Sequence, residues 1–349
     1  MPALHPRLPG VIILPGGDRD VEGKRRAAAK VRHGPDRPAA KCYNRVRPHA
    51  RGPGSWTREE QALRMAVVGH VEWVTFLRLP RLPSPGAILR ATEAWEEPAG
   101  GGGVAAVELA RLGGSCSFFT ALGDDTVGRQ SRRLLAGRGV VVHAALRALP
   151  TRRATTLLGP DGDRSILIHG PALAPAASDP LPYGELAGAD AVYLCKGDPE
   201  LVRQARRARV LVATARLLPV LQQAGVELDV LVRSGHDEGE QYRPGDLTPA
   251  PRLEVCTEGD AGGCWRTARG EHGRYRAQPL PGPRQDTYGA GDCFAASLAF
   301  ALAAGRQTTE ALEFAALRGA LALTRAGAHG ELHRRPGGCQ AIGKHLLGL

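Results

Sequence analysis

Short apolar runs alternate with helical stretches along most of the chain, and this alternation limits most strongly how the chain can fold. Seven runs have the composition of buried strands, at residues 66–70, 116–122, 140–144, 191–195, 210–214, 229–232 and 253–257. Helical patterns separate several of them, at residues 103–112, 125–138, 198–208 and 216–225. A repeated strand–helix–strand order is typical of a parallel sheet with helices on both faces. We therefore predict an α/β fold around a central, mostly parallel sheet.

Two regions break this alternation. Residues 74–98 and 152–170 contain short runs in which apolar and polar residues alternate, as in half-buried strands. In the second region a Pro-Asp-Gly-Asp turn separates two such runs. Two hairpin-like pieces inside an α/β chain predict a small β lid that covers one edge of the main domain.

Residues 1–64 differ from the rest of the chain in composition. They hold eight prolines, no helical or strand periodicity, and 14 Lys or Arg against 6 Asp or Glu. We predict a disordered basic extension, followed by a folded domain over residues 65–349. The extension is either a basic tail that meets nucleic acid or an acidic partner, or upstream sequence with Met65 as the functional start. We favour the second interpretation, because the fold needs nothing before Met65.

Charge and cysteine usage narrow the classes of function. The chain carries +11 in all, and residues 1–64 account for 14 − 6 = +8, so the folded part carries only +3 and no nucleic-acid partner is expected. No apolar run reaches the roughly 18 residues of a membrane span, so no membrane is expected either. The seven cysteines are odd in number and form no C-x-x-C pair. This pattern predicts free thiols in a reducing cytoplasm and argues against a zinc site.

The most informative motif is "DTYGAGD" at residues 286–292, directly before an apolar helical run. One interpretation is a simple turn with an acidic residue near a helix N-terminus. The other is an anion site, in which bare backbone N–H groups meet the positive end of the helix dipole and a carboxylate stands beside them. A second cluster, "PAGGGGVAAVELARLGG" at residues 98–114, fits a dinucleotide fingerprint in its spacing. That fingerprint needs a preceding strand, and Pro98 disfavours one, so we do not expect a nicotinamide or flavin cofactor.

Taken together, these motifs resemble the PfkB/ribokinase-like carbohydrate kinase family. Residues 286–292 match the family's D-T-x-G-A-G-D signature completely, and residues 99–129 resemble its first signature and the G-x-D-x-x-G continuation. "RLEVCTEGDAGG" (252–263) is similar to its nucleotide-phosphate loop, and "ALALTRAGAHGEL" (320–332) to its C-terminal segment beside the adenine pocket. The resemblance covers residues 65–349 and implies a ribokinase-like fold.

The resemblance also implies a function: ATP-dependent phosphorylation of a hydroxyl on a sugar or related metabolite, with Mg²⁺. Asp292 would be the general base, and the turn Gly289-Ala290-Gly291 would be an anion hole for the transferred phosphoryl group. The remaining implied contacts are Thr257, Gly259, Gly262, Thr287, Ala326 and Gly327 for the nucleotide; Gly101, Gly102 and Gly103 for the acceptor; and Ser234 and Asp237 for the metal. A monovalent cation near Asp286 and a homodimer through the lid are further family features.

Two departures from the family concern the acceptor. The family's sugar-reading Asp and Asn align with Val74 and Val104, and both changes replace a polar group by an apolar one. We expect these valines to face the acceptor pocket, so that ribose and fructose are poor acceptors. Glu72, His70 and Arg153 are candidates for replacement contacts, against the alternative of solvated surface groups. The alternative function is a non-catalytic ligand- or nucleotide-binding protein on the same scaffold.

Overall fold

The computed structural model describes residues 62–330, in which two sheets and six α-helices follow the predicted alternation. The strands are β1 (Met65–Val68), β2 (Glu72–Arg78), β3 (Glu93–Ala99), β4 (Cys116–Gly123), β5 (Val140–Arg147), β6 (Arg153–Leu158), β7 (Arg164–His169), β8 (Ala191–Leu194), β9 (Val210–Thr214), β10 (Val230–Ser234), β11 (Leu253–Thr257), β12 (Gly263–Thr267) and β13 (His272–Tyr275). The α-helices are α1 (Gly100–Gly113), α2 (Thr126–Ala136), α3 (Pro199–Ala205), α4 (Leu218–Ala224), α5 (Ala290–Ala303) and α6 (Thr308–Leu323). None of the helices within residues 62–330 has the length and apolar character that crossing a membrane would require.

The large sheet has nine strands in the order β13-β12-β11-β10-β9-β8-β1-β4-β5. The seven strands from β11 to β5 are parallel, and β12 and β13 continue the sheet in antiparallel fashion. Side chains alternate across it: Met65 and Val67 pack with α1, α5 and α6 on one face, and Ala66 and Val68 pack with α3 and α4 on the other. The predicted mostly parallel sheet with helices on both faces is confirmed, and all seven predicted runs lie in its strands.

The small sheet has four strands in the order β3-β2-β6-β7, and its strands come from the two regions predicted to form a lid. Within it, β3 contains Pro98, so the expectation that this proline excludes a strand before the glycine cluster was wrong. The proline is tolerated because β3 is an edge strand that pairs only with β2. Since β3 is antiparallel to β2 and lies outside the large sheet, it still does not build the dinucleotide-binding arrangement.

The predicted boundary at Met65 needs a small correction. Leu63 packs against the main core, the Arg64 N–H donates to Oδ2 of Asp190 at 2.9 Å, and the Asp190 N–H donates to the Arg64 carbonyl at 2.8 Å. The fold therefore uses at least two residues before Met65. The rest of the predicted extension, residues 1–61, and residues 331–349 of the predicted domain lie outside the described residues.

The carboxyl ends of the parallel strands bring together the segments that carry the sequence motifs. His70 follows β1, Lys196 follows β8 after one residue, and Thr257 ends β11. The first turns of α1 and α5 meet at this edge, where Gly101 lies against Asp292. Ligands of open α/β sheets bind at this edge, in the crevice outside the strand ends.

Candidate active site

The turn before α5 has the geometry of an anion site. Gly289 has a φ of 72°, in the left-handed region where residues with a Cβ are strained. A Cβ at this position would also lie 2.8 Å from Cγ1 of Val104, so packing requires glycine as well. The Cys293 N–H donates to the Gly289 carbonyl at 2.9 Å. The N–H groups of Ala290 and Gly291 precede it and have no acceptor within the helix, so they are available to an anion.

The Asp292 carboxylate stands in the first turn of α5 and is half-buried. The Tyr193 hydroxyl donates to its Oδ1 at 3.1 Å, and the Gly101 backbone lies so close that a Cβ there would be 2.7 Å from Oδ1. Burial raises the pKa of Asp292 to about 6, although the Tyr193 hydrogen bond lowers it, and the Glu240 carboxylate raises it further. A carboxylate with this pKa is ionised at neutral pH and is a stronger base than an ordinary Asp.

The three glycines predicted to contact the acceptor begin α1 but differ in position. Gly101 faces the Asp292 carboxylate, and its N–H donates to Nε2 of His70 at 3.4 Å. Gly102 packs against the chain that follows β1, where a Cβ would lie 2.8 Å from the His70 backbone. A Cβ at Gly103 would have no neighbour nearer than 4.0 Å, and the residue is buried. Of the three, the structure brings Gly101 to the carboxylate.

Glu72 lies at the same edge and is 5% exposed. Its Oε1 lies 3.3 Å from Nε of Arg152 and 3.8 Å from Nε2 of His70. The prediction named Arg153 instead, and the strand register explains the difference. Arg153 pairs with Trp73 across β2 and β6, so it points to the opposite face of the lid from Glu72 and is exposed. The structure therefore does not bring Arg153 to the site, whereas Arg152 reaches it.

His70 is held in its neutral form. Burial lowers its pKa to about 4, and the nearby cations Lys196, Arg152 and Arg216 lower it further. Its Nδ1 is buried and has no hydrogen-bond partner within the part of the chain that the structure describes. A neutral imidazole with one unused nitrogen can hydrogen-bond a hydroxyl group of a bound molecule.

A cleft of about 720 Å³ opens beside the turn Gly289-Ala290-Gly291. This volume lies in the range of small-molecule sites. Four residues predicted for the nucleotide line it, together with Ala290 and Gly291 of the turn: Thr257, Gly259, Gly262 and Thr287. Its apolar wall comes from α6 and nearby segments: Leu280, Phe294, Ala316, Ala320 and Leu323.

The two remaining residues predicted for the nucleotide, Ala326 and Gly327, do not line this cleft. Ala326 packs against the apolar cluster under the lid, and the Gly327 N–H donates to Oδ2 of Asp286 at 2.6 Å. The other Asp286 oxygen accepts from the Tyr288 N–H at 2.7 Å, and burial raises the pKa of Asp286 to about 6. Asp286 therefore holds the signature turn to the loop that follows α6. The expectation of a monovalent cation there stays a prediction.

The three residues predicted to bind metal ions, Ser234 and Asp237 for Mg²⁺ and Asp286 for a monovalent cation, do not come together. Asp286 is fully buried under the lid, whereas Ser234 ends β10 and Asp237 caps the short helix Glu238–Glu240. Asp237 is paired with Arg216, which also lies 3.3 Å from Oε1 of Glu240. Both oxygens of Asp237 are therefore engaged, Oδ2 by Arg216 and Oδ1 by the Gly239 N–H, which leaves this carboxylate a poor ligand for Mg²⁺ unless the pair opens.

Val74 and Val104 do not line an open pocket, which corrects the expectation drawn from them. They are 0% and 2% exposed and belong to the apolar cluster between the lid sheet and helices α1 and α5. Phe76 and Tyr288 of the same cluster pack edge to face with ring centroids 5.1 Å apart. The two apolar replacements thus serve the packing of the lid, because β2 turns Val74 and Phe76 to the same covered face.

Sequence reasoning missed four side chains near the Asp292 carboxylate, namely Tyr193, Arg164, Arg216 and Glu240, and it missed Arg152 beside Glu72. The signal for Tyr193 was present, since it is the one aromatic residue in the β8 run. The charge run Asp237–Glu240 offered Glu240 as an alternative carboxylate. Arg152 and Arg216 carried no local signal, because their partners are distant along the chain. Glu72 lies 80 residues before Arg152, and Asp237 and Glu240 lie 21 and 24 residues after Arg216.

Comparison with known proteins adds an independent line of evidence. The sequence model described as pfkB family carbohydrate kinase matches residues 63–244 and 246–334. The acarbose 7(IV)-phosphotransferase of Actinoplanes is 30% identical over 293 residues, which cover 75% of this chain and 94% of that protein. The ribokinase of Dictyostelium discoideum is 27% identical over 108 residues, a match that spans 34% of that ribokinase and 30% of this chain.

Solved structures agree on the fold. The ribokinase of Thermotoga maritima superposes with a TM-score of 0.62 at 23% identity, over 76% of this chain and 95% of that one. The Arabidopsis thaliana ribokinase, whose structure contains ribose and ATP, gives a TM-score of 0.59 at 22% identity, over 77% and 95% of the two chains. At these identities the likeness establishes the ribokinase-like fold.

Proposed function

Because the chain belongs to the pfkB family of carbohydrate kinases, we propose that it transfers the γ-phosphoryl group of ATP to a hydroxyl of a sugar or related metabolite. One observation carries this proposal. The Asp292 carboxylate directly follows Ala290 and Gly291, which line the cleft of about 720 Å³, and it lies against Gly101, whose N–H donates to His70 beside Glu72 and Arg152. A base between two binding regions is what transfer between two bound molecules needs.

We propose that ATP occupies the cleft with its terminal phosphate at the α5 N-terminus. The apolar wall from α6 suits an adenine ring, and the residues from Thr257 to Gly262 lie beside the path of the phosphates. The free N–H groups of Ala290 and Gly291 would then stabilise the charge that develops on the transferred phosphoryl group, helped by the helix dipole. Glycine at 291, where an added Cβ would point into open space, lets the phosphate approach the backbone closely.

Asp292 then acts as the general base in this proposal. It accepts the proton of the acceptor hydroxyl as the hydroxyl oxygen attacks the γ-phosphorus, and ADP leaves in line with the attack. Tyr193 orients the carboxylate through its hydrogen bond to Oδ1. Gly101 leaves room beside Oδ1 for the acceptor, since a Cβ at that position would touch the carboxylate.

The acceptor is proposed to lie against His70, Glu72 and Arg152. In this proposal they take over the role of the family's polar Asp and Asn, which are Val74 and Val104 in this chain. Together they offer both hydrogen-bond donors and acceptors to a molecule with several hydroxyls. His70 Nδ1 has no hydrogen-bond partner among residues 62–330, so a hydrogen bond to the acceptor would satisfy it. Because Val74 and Val104 are covered, we no longer expect them to select the acceptor.

Mg²⁺ fits this site as an ion that arrives with the nucleotide. The described residues near the turn offer carboxylates tied to Arg216, which suits an ion held mainly by phosphate oxygens and water better than a preformed protein cage. Bound there, the ion would supply charge neutralisation on the phosphates. The residues nearest to such an ion would be Asp237 and Glu240.

Turnover by the Asp292→Asn variant tests the proposal. Wild-type protein should form ADP with at least one acceptor in a panel of sugars, nucleosides and polyols, and D292N should lower kcat by at least about 10²-fold while ATP binding and Tm stay unchanged. Glu310→Gln is the matched control, because Glu310 is an exposed carboxylate in the first turn of α6. If ATP binds but no acceptor yields ADP, the alternative of a non-catalytic binding protein is the better one.

We also propose a homodimer formed through the lid. The outer strand β7 carries three consecutive exposed apolar side chains: Ile166, Leu167 and Ile168 are 39%, 53% and 52% exposed. An exposed apolar edge strand is a surface that a second copy can cover. Sedimentation should report a dimer for the wild type and a monomer for Ile168→Lys, whereas Leu146→Lys, at an equally exposed apolar position on β5, should stay dimeric. A monomeric wild type would contradict the proposed homodimer.

A further inference from the structure

The hairpin of β11 and β12 carries three side chains with metal-ligating atoms on the face that lies opposite the main core. Leu253 and Val255 of β11 point into the main core, so Cys256 lies on the opposite face by strand alternation. Cys256 is paired in register with Cys264 of β12, which places the two side chains next to each other on one face of the sheet. Glu258 continues the same face, two residues after Cys256.

These three side chains present metal-ligating atoms to one point. One sulfur from each cysteine and one carboxylate oxygen from Glu258 all lie within 4.8 Å of one another. Among residues 62–330 they form the single group of three such side chains with this spacing. Two thiolates and a carboxylate are a donor set that suits Zn²⁺ and excludes Mg²⁺ and Ca²⁺, which take oxygen ligands.

Contrary to the expectation from cysteine spacing, we propose that Cys256, Glu258 and Cys264, brought together by strand register, bind one zinc-type transition-metal ion, with water as the fourth ligand. Three protein ligands and one water complete the tetrahedral coordination that Zn²⁺ prefers. The existence of this site does not depend on the proposed kinase activity.

The surroundings of the three ligands suit a bound ion. Arg274 donates to Oε2 of Glu258, which orients the carboxylate and leaves its second oxygen for the metal, as outer hydrogen bonds commonly do at metal sites. Two thiolates, one carboxylate and a divalent ion leave one negative charge in excess, and Arg274 and Arg233 lie close enough to offset it. Zn²⁺ binds cysteine as the thiolate, so ion binding releases the thiol protons.

A disulfide between the two cysteines is the competing use of the same pair. Residues directly opposite each other in an antiparallel ladder can approach disulfide distances. The third donor distinguishes the two uses, since a disulfide has no need of Glu258 on the same face. The arrangement of three donors therefore favours the metal ion.

The proposed metal site adjoins the cleft in which we place the nucleotide. The turn between the two strands is closed by the Glu258 N–H, which donates to the Gly262 carbonyl at 2.8 Å. Thr257, Glu258, Gly259 and Gly262 all line the cleft of about 720 Å³. An ion held at the base of this turn would restrict it, so metal binding and nucleotide binding should be coupled.

Metal titration of the full chain tests the site directly. The protein is reduced with a phosphine, freed of metal with a chelator and titrated with Co²⁺, then with Zn²⁺ in competition. We expect one equivalent of Co²⁺ with the intense absorption of thiolate-to-cobalt charge transfer, displaced by Zn²⁺. Cys256→Ala and Cys264→Ala should abolish this absorption, and Glu258→Gln should weaken Zn²⁺ binding by about 10-fold or more.

Two controls keep the test specific. Cys116→Ala removes a buried thiol from β4, and C42A/C339A removes the two cysteines outside the described residues; both should bind Zn²⁺ as the wild type does. The proposal is overturned if the reduced wild type binds no metal, if the hairpin variants bind as tightly as the wild type, or if mass spectrometry shows a Cys256–Cys264 disulfide and the reduced protein stays free of Co²⁺. None of these outcomes depends on finding the acceptor.

Discussion

At the scale of single residues, the Asp292 carboxylate sets the pH dependence that we expect of the site. Its pKa of about 6 lies well above the usual value for Asp, chiefly because burial disfavours the charged form. A general base must be ionised, so activity should be full above this pKa and should fall as pH decreases through it. An Asp with an ordinary pKa would show no such fall above pH 5.

The acid side of the pH profile therefore reports on Asp292. With a pKa of about 6, kcat/KM should fall about tenfold between pH 7 and pH 5, provided that the protein stays folded. Tyr193→Phe removes the hydrogen bond that lowers the pKa of Asp292, so the fall should begin at a higher pH. Tyr183→Phe, which removes a hydroxyl bonded to the Ala176 carbonyl instead, should leave the profile unchanged. A profile that is flat down to pH 5 would contradict the raised pKa of Asp292.

At the scale of an element, the start of α5 depends on one glycine conformation. Gly289 has a left-handed backbone, and its Cα faces the Val104 side chain of α1. The two helices are thereby packed through the turn whose N–H groups we propose to bind the phosphate. A side chain at 289 should disturb both the packing of α1 on α5 and the direction of those N–H groups.

Gly289→Ala measures this dependence. A left-handed Ala costs about 1–2 kcal/mol by itself, and the contact with Val104 at 2.8 Å should add to that cost in the free energy of unfolding. The displaced N–H groups should also lower kcat by at least about 10²-fold, the scale of a lost oxyanion-type donor. Gly305→Ala is the control, because Gly305 has a φ of 79° and an added Cβ there would meet nothing within 4 Å.

Comparing G289A with G305A separates the effect of a left-handed backbone from the effect of the contact with Val104. G305A should lose stability but keep kcat, and adding Val104→Ala to G289A should recover part of the lost activity by relieving the contact. If G289A and G305A have the same kcat and the same free energy of unfolding, Gly289 neither positions the N–H groups nor packs α1 on α5 as we propose.

At the scale of the whole molecule, the folded unit begins slightly before the predicted start. Arg64 exchanges two hydrogen bonds with Asp190, and its side chain lies near Gly188, which ties the entry of β1 to the segment before β8. We propose that residues 1–61 are dispensable for folding and catalysis, whereas residues 62–64 belong to the fold. The family match, which starts at residue 63, supports this boundary.

Two shortened chains test the boundary. A chain beginning at Ala62 should match the full chain in Tm and turnover. A chain beginning at Met65 loses both Arg64 hydrogen bonds, each worth about 0.5–1.5 kcal/mol, so its Tm should fall by several degrees. The proposal fails if the Ala62 chain melts well below the full chain, which would show that earlier residues stabilise the fold.

Local patterns were enough to predict the architecture and the central motif. Strand runs such as β1 and β8 are recognisable because a buried parallel strand needs a continuous apolar run, and the Asp286–Asp292 turn is recognisable because its glycines and carboxylates are adjacent in the chain. The pairing of side chains from different elements could not be predicted in this way. The register of β2 on β6 makes Arg152 rather than Arg153 the partner of Glu72.

What the sequence by itself determined is the α/β scaffold and the anion turn with Asp292, since both depend on interactions within a few neighbouring residues. The tertiary structure alone decided which distant side chains share a site. It covered Val74 and Val104 with the lid, turned Asp286 toward the Gly327 N–H, and brought the sulfur atoms of Cys256 and Cys264 together across a hairpin. The physical reason is that strand register and packing fix these distances, and a shift of one residue in register would send each of these strand side chains to the opposite face.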